Sequence, residues 1–286
     1  MLSSVFTLAA LCFILTSLLI YAYRKWHVEE NPLYQVVDEL LPQVNCGACG
    51  FPGCRAFAEA LVNKKALPGQ CSVSSANAHQ KIANILNVDV GNFEKKVARL
   101  ACAGGDNVAK KQADYSGLNS CRAATLVAGG ANSCAWGCLG FGDCAKVCHF
   151  NAISMSDNHL PVVDEIKCTA CNDCVEICPK DLFSLQPVSH RLWVACNNRE
   201  NGDELLMNCE VACTACGRCA HDSTDDLITM IDNLPVINYT KNHNTQTPIE
   251  RCPTGAINWL TENGDIVKGR DAKAIIRKSA KEVSFS

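Results

Sequence analysis

Cys168-Thr-Ala-Cys171-Asn-Asp-Cys174-Val-Glu-Ile-Cys178-Pro179 is the stretch whose reading decides the fold of this chain. Its spacing is C-x2-C-x2-C-x3-C-P. Three thiolates on one tight loop take three corners of a [4Fe–4S] cube, and the fourth cysteine of such a run serves a second cluster. The run therefore requires a partner run of the same four-part order. One lies upstream as Cys134-x3-Cys138-x5-Cys144-x3-Cys148, looser, with His149 where the proline would stand. Crossing the fourth ligands assigns one cluster to Cys134, Cys138, Cys144 and Cys178. The other falls to Cys168, Cys171, Cys174 and Cys148.

Downstream the same logic meets a defect. Cys213, Cys216 and Cys219 repeat the triplet, but position 223 is Ser. Counting back from Cys252 through the same spacing reaches Pro248, Thr245 and Asn242. By the crossing rule Cys213, Cys216, Cys219 and Cys252 hold one cluster, and Ser223, Asn242, Thr245 and Pro248 mark one that is absent. A proline offers no ligand atom in its side chain. A fourth set, Cys46-x2-Cys49-x4-Cys54-x16-Cys71, sits among Gly47, Gly50 and Gly53, which let backbone wrap close to an inorganic core. Four [4Fe–4S] clusters on sixteen cysteines result. Cys102, Cys121, Cys196 and Cys209 stay outside these sets and read as buried thiols; the alternatives are a further metal site among them, or Cys209 as a substitute ligand beside Cys213.

The chain has 286 residues and 21 cysteines. An odd count in C-x2-C-x2-C runs argues against a disulfide framework and suits a reducing compartment. Zinc sites favour two separated C-x2-C knuckles, so zinc is the weaker reading. A net charge of −3 gives no footprint for nucleic acid. No nucleophile–base pair, Walker loop or dinucleotide fingerprint accompanies the cysteines, so no catalytic residue is assigned.

Leu2 to Tyr23 carries no charge, about 33 Å of helix and enough to cross a hydrocarbon core. Arg24 and Lys25 follow it, which puts the remainder of the chain on the cytoplasmic side of a single-pass anchor. Cys12 lies inside this span and packs there.

These signals give an α+β protein. A transmembrane anchor occupies 1–26 and a small helical four-cysteine [4Fe–4S] domain 27–90, with an irregular connecting segment at 91–132. Tandem ferredoxin-like βαβ repeats then form a two-cluster domain at 133–188 and a degenerate one-cluster domain at 189–260. A charged, peripheral tail, 261–286, closes the chain. The internal repeat shows in Cys148-His-Phe-Asn-Ala-Ile against Cys252-Pro-Thr-Gly-Ala-Ile, and in Leu160-Pro-Val-Val against Leu234-Pro-Val-Ile.

The order of these parts resembles the RnfB-type component of the Rnf ion-translocating electron transport complex. The resemblance rests on an N-terminal anchor, then Glu29-x-Asn31-Pro32, the Cys46–Cys71 set and the repeats, and it reaches to about residue 260. It implies an electron-transfer subunit of a membrane translocase that exchanges electrons between ferredoxin and NAD, coupled to Na⁺ or H⁺ movement. It also implies [4Fe–4S] clusters in series, other membrane and peripheral subunits and soluble ferredoxin as partners, and a place at the cytoplasmic membrane. The degenerate last pair departs from longer family members, which often hold two clusters there. Rival readings are a membrane-anchored ferredoxin-like relay for another reductase, without ion coupling, and a zinc scaffold without redox chemistry.

Overall fold

A computed structural model of the chain describes residues 2–26, 31–262 and 264–273. It divides into two compact units. The first comprises Met1–Asn45, Phe51–Pro68 and Ser74–Gly91, the second Cys46–Gly50, Gly69–Val73 and Asn92–Ser286.

The first unit is helical. α1 spans Leu2–Trp26, 25 residues, with Arg24 and Lys25 in its last turn. Its apolar side chains are bare, Phe6 at 71% and Phe13 at 74% exposure. Water would penalise so long an apolar surface, whereas a bilayer accepts it. α2 (Pro32–Leu40) starts with proline at its first position, and Asn31 caps it by accepting from Leu33 N–H at 3.0 Å. α3 spans Cys54–Val62. α4 (Ala76–Leu86) is capped by Ser75 Oγ, which accepts from Ala78 N–H at 3.2 Å, and it stops at left-handed Asn87. Val37, Leu41, Phe57, Leu61, Ile82 and Leu86 form the buried face. Leu33, Val36 and Ile85, which share the helical spacing, are exposed, because three short helices cover only part of each other's apolar stripe.

The second unit alternates strands with short helices, as a ferredoxin-like fold does. In order these are β1 (Lys96–Leu100), α5 (Cys121–Thr125), α6 (Asp143–Val147), β2 (Ile153–Met155), β3 (Pro161–Val163), α7 (Asp173–Ile177) and β4 (Phe183–Pro187). They are followed by β5 (Leu192–Val194), α8 (Arg218–Asp222), β6 (Ile228–Ile231), β7 (Leu234–Ile237), β8 (Ile257–Leu260) and β9 (Ile266–Val267). Each half repeats one plan. An outer strand leads to a cysteine run, a hairpin and a second run, and then to a strand that returns to pair with the first.

β1 pairs with β4 and β2 with β3, while β5 pairs with β8 and β6 with β7, all antiparallel. Parallel βαβ crossovers are therefore not the pairing unit: each half closes on antiparallel pairs. The segment 91–132 is not wholly irregular: it supplies β1, the partner of β4. Nor is all of 261–286 peripheral. β9 pairs with β8, and Gly269 is buried so tightly that a Cβ there would lie 1.8 Å from Ile249 O. Of the tail's basic residues, Arg277, Lys278 and Lys281 lie outside the described residues, as do His27 and most of the link before Pro32.

Two cores hold the halves. Val97, Ala98, Ile153 and Phe183 pack with Cys144, Cys168 and Cys174. Leu192, Leu227, Ile249 and Ile257 pack with Cys219 and Cys252. The cysteines belong to the cores rather than to loops above them.

Candidate metal centres

The runs share a backbone code. In Cys168-Thr-Ala170-Cys171-Asn172-Asp-Cys174, Ala170 (φ 60°) and Asn172 (φ 79°) are left-handed. Ala215 (φ 57°) and Gly217 (φ 69°) repeat this in the last half, and Gly140 (φ 79°) and Gly142 (φ 73°) in the upstream run. Two such residues curl the loop so that Cys144, Cys174 and Cys219 each become the second residue of a five-residue helix. A second code follows. Asn151, Asp181, Asp226 and Gly255 are left-handed, each three residues past Cys148, Cys178, Ser223 and Cys252. Two residues later Ile153, Phe183, Ile228 and Ile257 begin buried strands. Ser223 thus occupies the fourth-cysteine position in backbone as well as in count.

This register corrects the upstream run. Gly140 and Gly142 match Ala170 and Asn172, so Cys138 matches Cys168 and Phe141 matches Cys171. The run is C-x2-F-x2-C-x3-C. Phe141 meets Tyr115 edge-on at 5.5 Å, and Cys121, the first residue of α5, takes the place that Phe141 leaves open.

Four cavities of similar size are ringed by cysteines within the second unit. One, about 390 Å³, is lined by Cys121, Cys138, Cys144 and Cys178. Another, about 320 Å³, is lined by Cys148, Cys168, Cys171 and Cys174. A third, about 350 Å³, is lined by Cys213, Cys216, Cys219 and Cys252. These volumes include the mouth open to solvent. Cys134, expected with Cys138, Cys144 and Cys178, does not line their cavity. Cys134 lines the remaining cavity, about 380 Å³, with Cys102, Cys196 and Cys209. Cys134 precedes the loop curled by Gly140 and Gly142.

Among the described residues, no three His, Cys, Asp or Glu side chains close on a single ion. A tetrahedral zinc with Zn–S near 2.3 Å needs sulfurs about 3.8 Å apart. In these cavities the thiols line a space, and a four-cysteine donor set fits an iron–sulfur core.

Burial sets their protonation. It pushes Cys144 and Cys171 up to about 11 and Cys174 and Cys213 up to about 12, so the free side chains are neutral thiols at pH 7. Ligation would require thiolates, whose charge a bound cationic core would offset. Backbone donors are already aimed at sulfur: Ala98 N–H reaches Cys168 Sγ at 3.4 Å and Ala152 N–H reaches Cys148 Sγ at 3.3 Å. Cys121 is held through Asp143, which accepts from Ser120 Oγ at 2.7 Å and Arg122 N–H at 3.3 Å.

At the positions where counting finds no cysteine, the side chains are held by structure. Ser223 Oγ donates to Ala220 O at 2.8 Å. Pro248 and Ile249 are buried in a short 3-10 turn, and Leu192 and Leu227 are fully enclosed beside Ile249.

Near the N-terminus, Cys54 starts α3 in the first unit, and Cys46, Cys49 and Cys71 belong to the second. Asn45 Oδ1 accepts from Cys54 N–H at 2.8 Å, and a Cβ at Gly53 would press within 2.8 Å of that oxygen.

Residues 41–73 match the protein family described as "Putative Fe-S cluster". The chain is 36% identical over 255 residues to the B subunit of the Na(+)-translocating ferredoxin:NAD(+) oxidoreductase complex of Acetobacterium woodii, covering 89% of this chain and 75% of that protein. It is 36% identical to the B subunit of the proton-translocating ferredoxin:NAD(+) oxidoreductase complex of Clostridium ljungdahlii, covering 87% and 88%. It is 32% identical to the B subunit of the ion-translocating oxidoreductase complex of Methanosarcina acetivorans, covering 90% and 97%.

Proposed function

Because the chain belongs to the RnfB family, the B subunits of ion-translocating ferredoxin:NAD oxidoreductase (Rnf-type) complexes, we propose that it is the membrane-anchored electron relay of such a complex. In this reading it carries [4Fe–4S] clusters, takes low-potential electrons from soluble ferredoxin and exchanges them with its partner subunits. Ion movement, of Na⁺ or H⁺, is coupled to that transfer in the assembled complex. α1 anchors the chain once in the cytoplasmic membrane, with the cysteine sets that follow it on the cytoplasmic side.

The observation that carries the reading is the set of cysteine-ringed cavities in crossed register. Cys178 from the second run stands with Cys121, Cys138 and Cys144, and Cys148 from the first run stands with Cys168, Cys171 and Cys174. Cys252 stands with Cys213, Cys216 and Cys219. Cys46, Cys49, Cys54 and Cys71, the remaining set by spacing, all lie within the stretch that matches the iron–sulfur family.

A bound [4Fe–4S] core supplies one-electron storage at low potential. The chain supplies everything else. Its thiolates fix position, Ala98 and Ala152 N–H groups withdraw charge from sulfur, and Phe183, Ile153, Leu227 and Ile257 keep water out. The test is reduction of the anaerobically purified protein by reduced ferredoxin, followed by bleaching of its visible absorption. Bleaching that grows with each electron equivalent of reduced ferredoxin added supports the relay. Stoichiometric zinc with no acid-labile sulfide contradicts it.

A further inference from the structure

The cavity lined by Cys102, Cys134, Cys196 and Cys209 belongs to neither ferredoxin-like half alone. Cys102 stands two residues beyond the end of β1, and Cys196 two residues beyond the end of β5. Cys134 stands four residues before Cys138, and Cys209 four before Cys213. Each half therefore contributes the same two positions.

The hydrogen bonds repeat as well. Cys138 N–H donates to Cys102 Sγ at 3.5 Å, and Cys213 N–H donates to Cys196 Sγ at 3.3 Å. Just before these cysteines, Ala101 N–H donates to Leu182 O at 2.8 Å and Ala195 N–H to Ala256 O at 2.7 Å. Further donors complete the site. Gly104 N–H reaches Cys102 Sγ at 3.4 Å, and the buried Asn198 turns Nδ2 toward Cys134 Sγ at 3.9 Å. Two independently placed thiols from each half, met by backbone and amide donors, make a ligand set and not a group of packed thiols.

The surroundings agree. The inserts of the two halves are stitched across the site: Lys110 N–H donates to Asn208 O at 2.9 Å, and Glu210 N–H to Val108 O at 3.1 Å. Val108, Leu205 and Val211 seal it. A Cβ at Gly104 would stand 3.1 Å from Cys209 Sγ, so glycine keeps this wall open. The cavity's volume, about 380 Å³, matches those of the other cysteine-ringed spaces.

We infer that Cys102, Cys134, Cys196 and Cys209 ligate a fifth [4Fe–4S] cluster, shared by the two halves around a pseudo-twofold arrangement. The inference rests on the relay reading and extends it. Cys138, a ligand of the first half, bonds through its N–H to Cys102. Cys213, a ligand of the last half, bonds through its N–H to Cys196. The fifth site is thus joined by a backbone hydrogen bond to one ligand set of each half. Each hop moves one electron, oxidising one cluster as the next is reduced.

The test is iron, acid-labile sulfide and zinc per chain in the anaerobically purified full-length protein, wild type beside Cys196→Ala and Cys209→Ala. Five clusters give about 20 Fe and 20 S in wild type. Each variant is expected to lose about four of each and one signal in the spin-counted EPR of the reduced protein, with the remaining signals unchanged. About 16 Fe in the wild type, with or without one zinc, overturns the fifth cluster while leaving the relay reading intact. Little iron in wild type defeats the relay reading itself. The wild-type count decides even where a variant fails to fold.

Discussion

Replacing Cys121 with Ala separates the grouping seen in the structure from the one read off cysteine spacing. In the structure Cys121 lines the cavity with Cys138, Cys144 and Cys178. By spacing alone Cys134 fills that role and Cys121 is a bystander. Alanine at the first position of α5 is a good helix former, and the buried Ala124 is untouched, so the substitution removes a thiolate and little else. The expected loss is about four of about 20 irons, one fifth of the total. The register then predicts a cure. Phe141 occupies the second-cysteine position of the run, so adding Phe141→Cys to Cys121→Ala should restore about four irons. Removing the Phe141–Tyr115 edge contact, 5.5 Å between ring centroids, costs about 0.5–1.5 kcal/mol. The double variant should therefore be slightly less stable than wild type but fully loaded. Iron and sulfide determination with spin-counted EPR reads both outcomes. Full iron in Cys121→Ala would refute the assignment.

Further outcomes follow from the same geometry. Cys252→Ala should lose as much iron as Cys213→Ala, whereas Ser223→Cys should gain none, because Asn242, Thr245 and Pro248 cannot complete the set; colorimetric iron assay distinguishes them. Ala170→Gly and Ala215→Gly relieve left-handed strain of about 1–2 kcal/mol, partly offset by the added freedom of the unfolded chain, so each should stabilise by up to about 1 kcal/mol in denaturant titration. Asp222 accepts from Arg251 Nε at 2.7 Å, tying α8 to the residue before Cys252. The Arg251 guanidinium holds the Asp222 carboxyl below its usual range, so its contribution is present above about pH 4 and fades as pH falls through the lowered value. Arg251→Gln should thus be less stable than wild type at pH 7, with the difference vanishing in stronger acid. Equal pH profiles would remove the pair from the account.

Much of this was legible in the cysteine spacing because an unbroken run is a local object. Cys168 to Cys178 needs only its own two left-handed turns, and Ser223 is found by counting. The anchor and the helices around Phe57 and Ile82 follow from apolar patterning in the same local way. What spacing cannot show is a ligand supplied from elsewhere in the chain. Cys121 is separated from Cys138 by a segment with no run of its own, and Phe141 disguises the register by filling a cysteine's place. The Cys102–Cys134–Cys196–Cys209 set depends on how two halves meet. Its only trace in the sequence is the matched pair Cys134-x3-Cys138 and Cys209-x3-Cys213, which gains meaning once the halves are superimposed. The antiparallel pairing of β1 with β4 escaped for the same reason, since register between distant strands is set by their shared core and not by either segment alone.

The account makes this chain a string of cysteine-held redox centres, and the most direct test of that is its metal content. Anaerobically purified protein, analysed for iron, acid-labile sulfide and zinc per chain, should contain iron and sulfide in equal amounts, about 20 of each, and no stoichiometric zinc. Zinc without sulfide would contradict it.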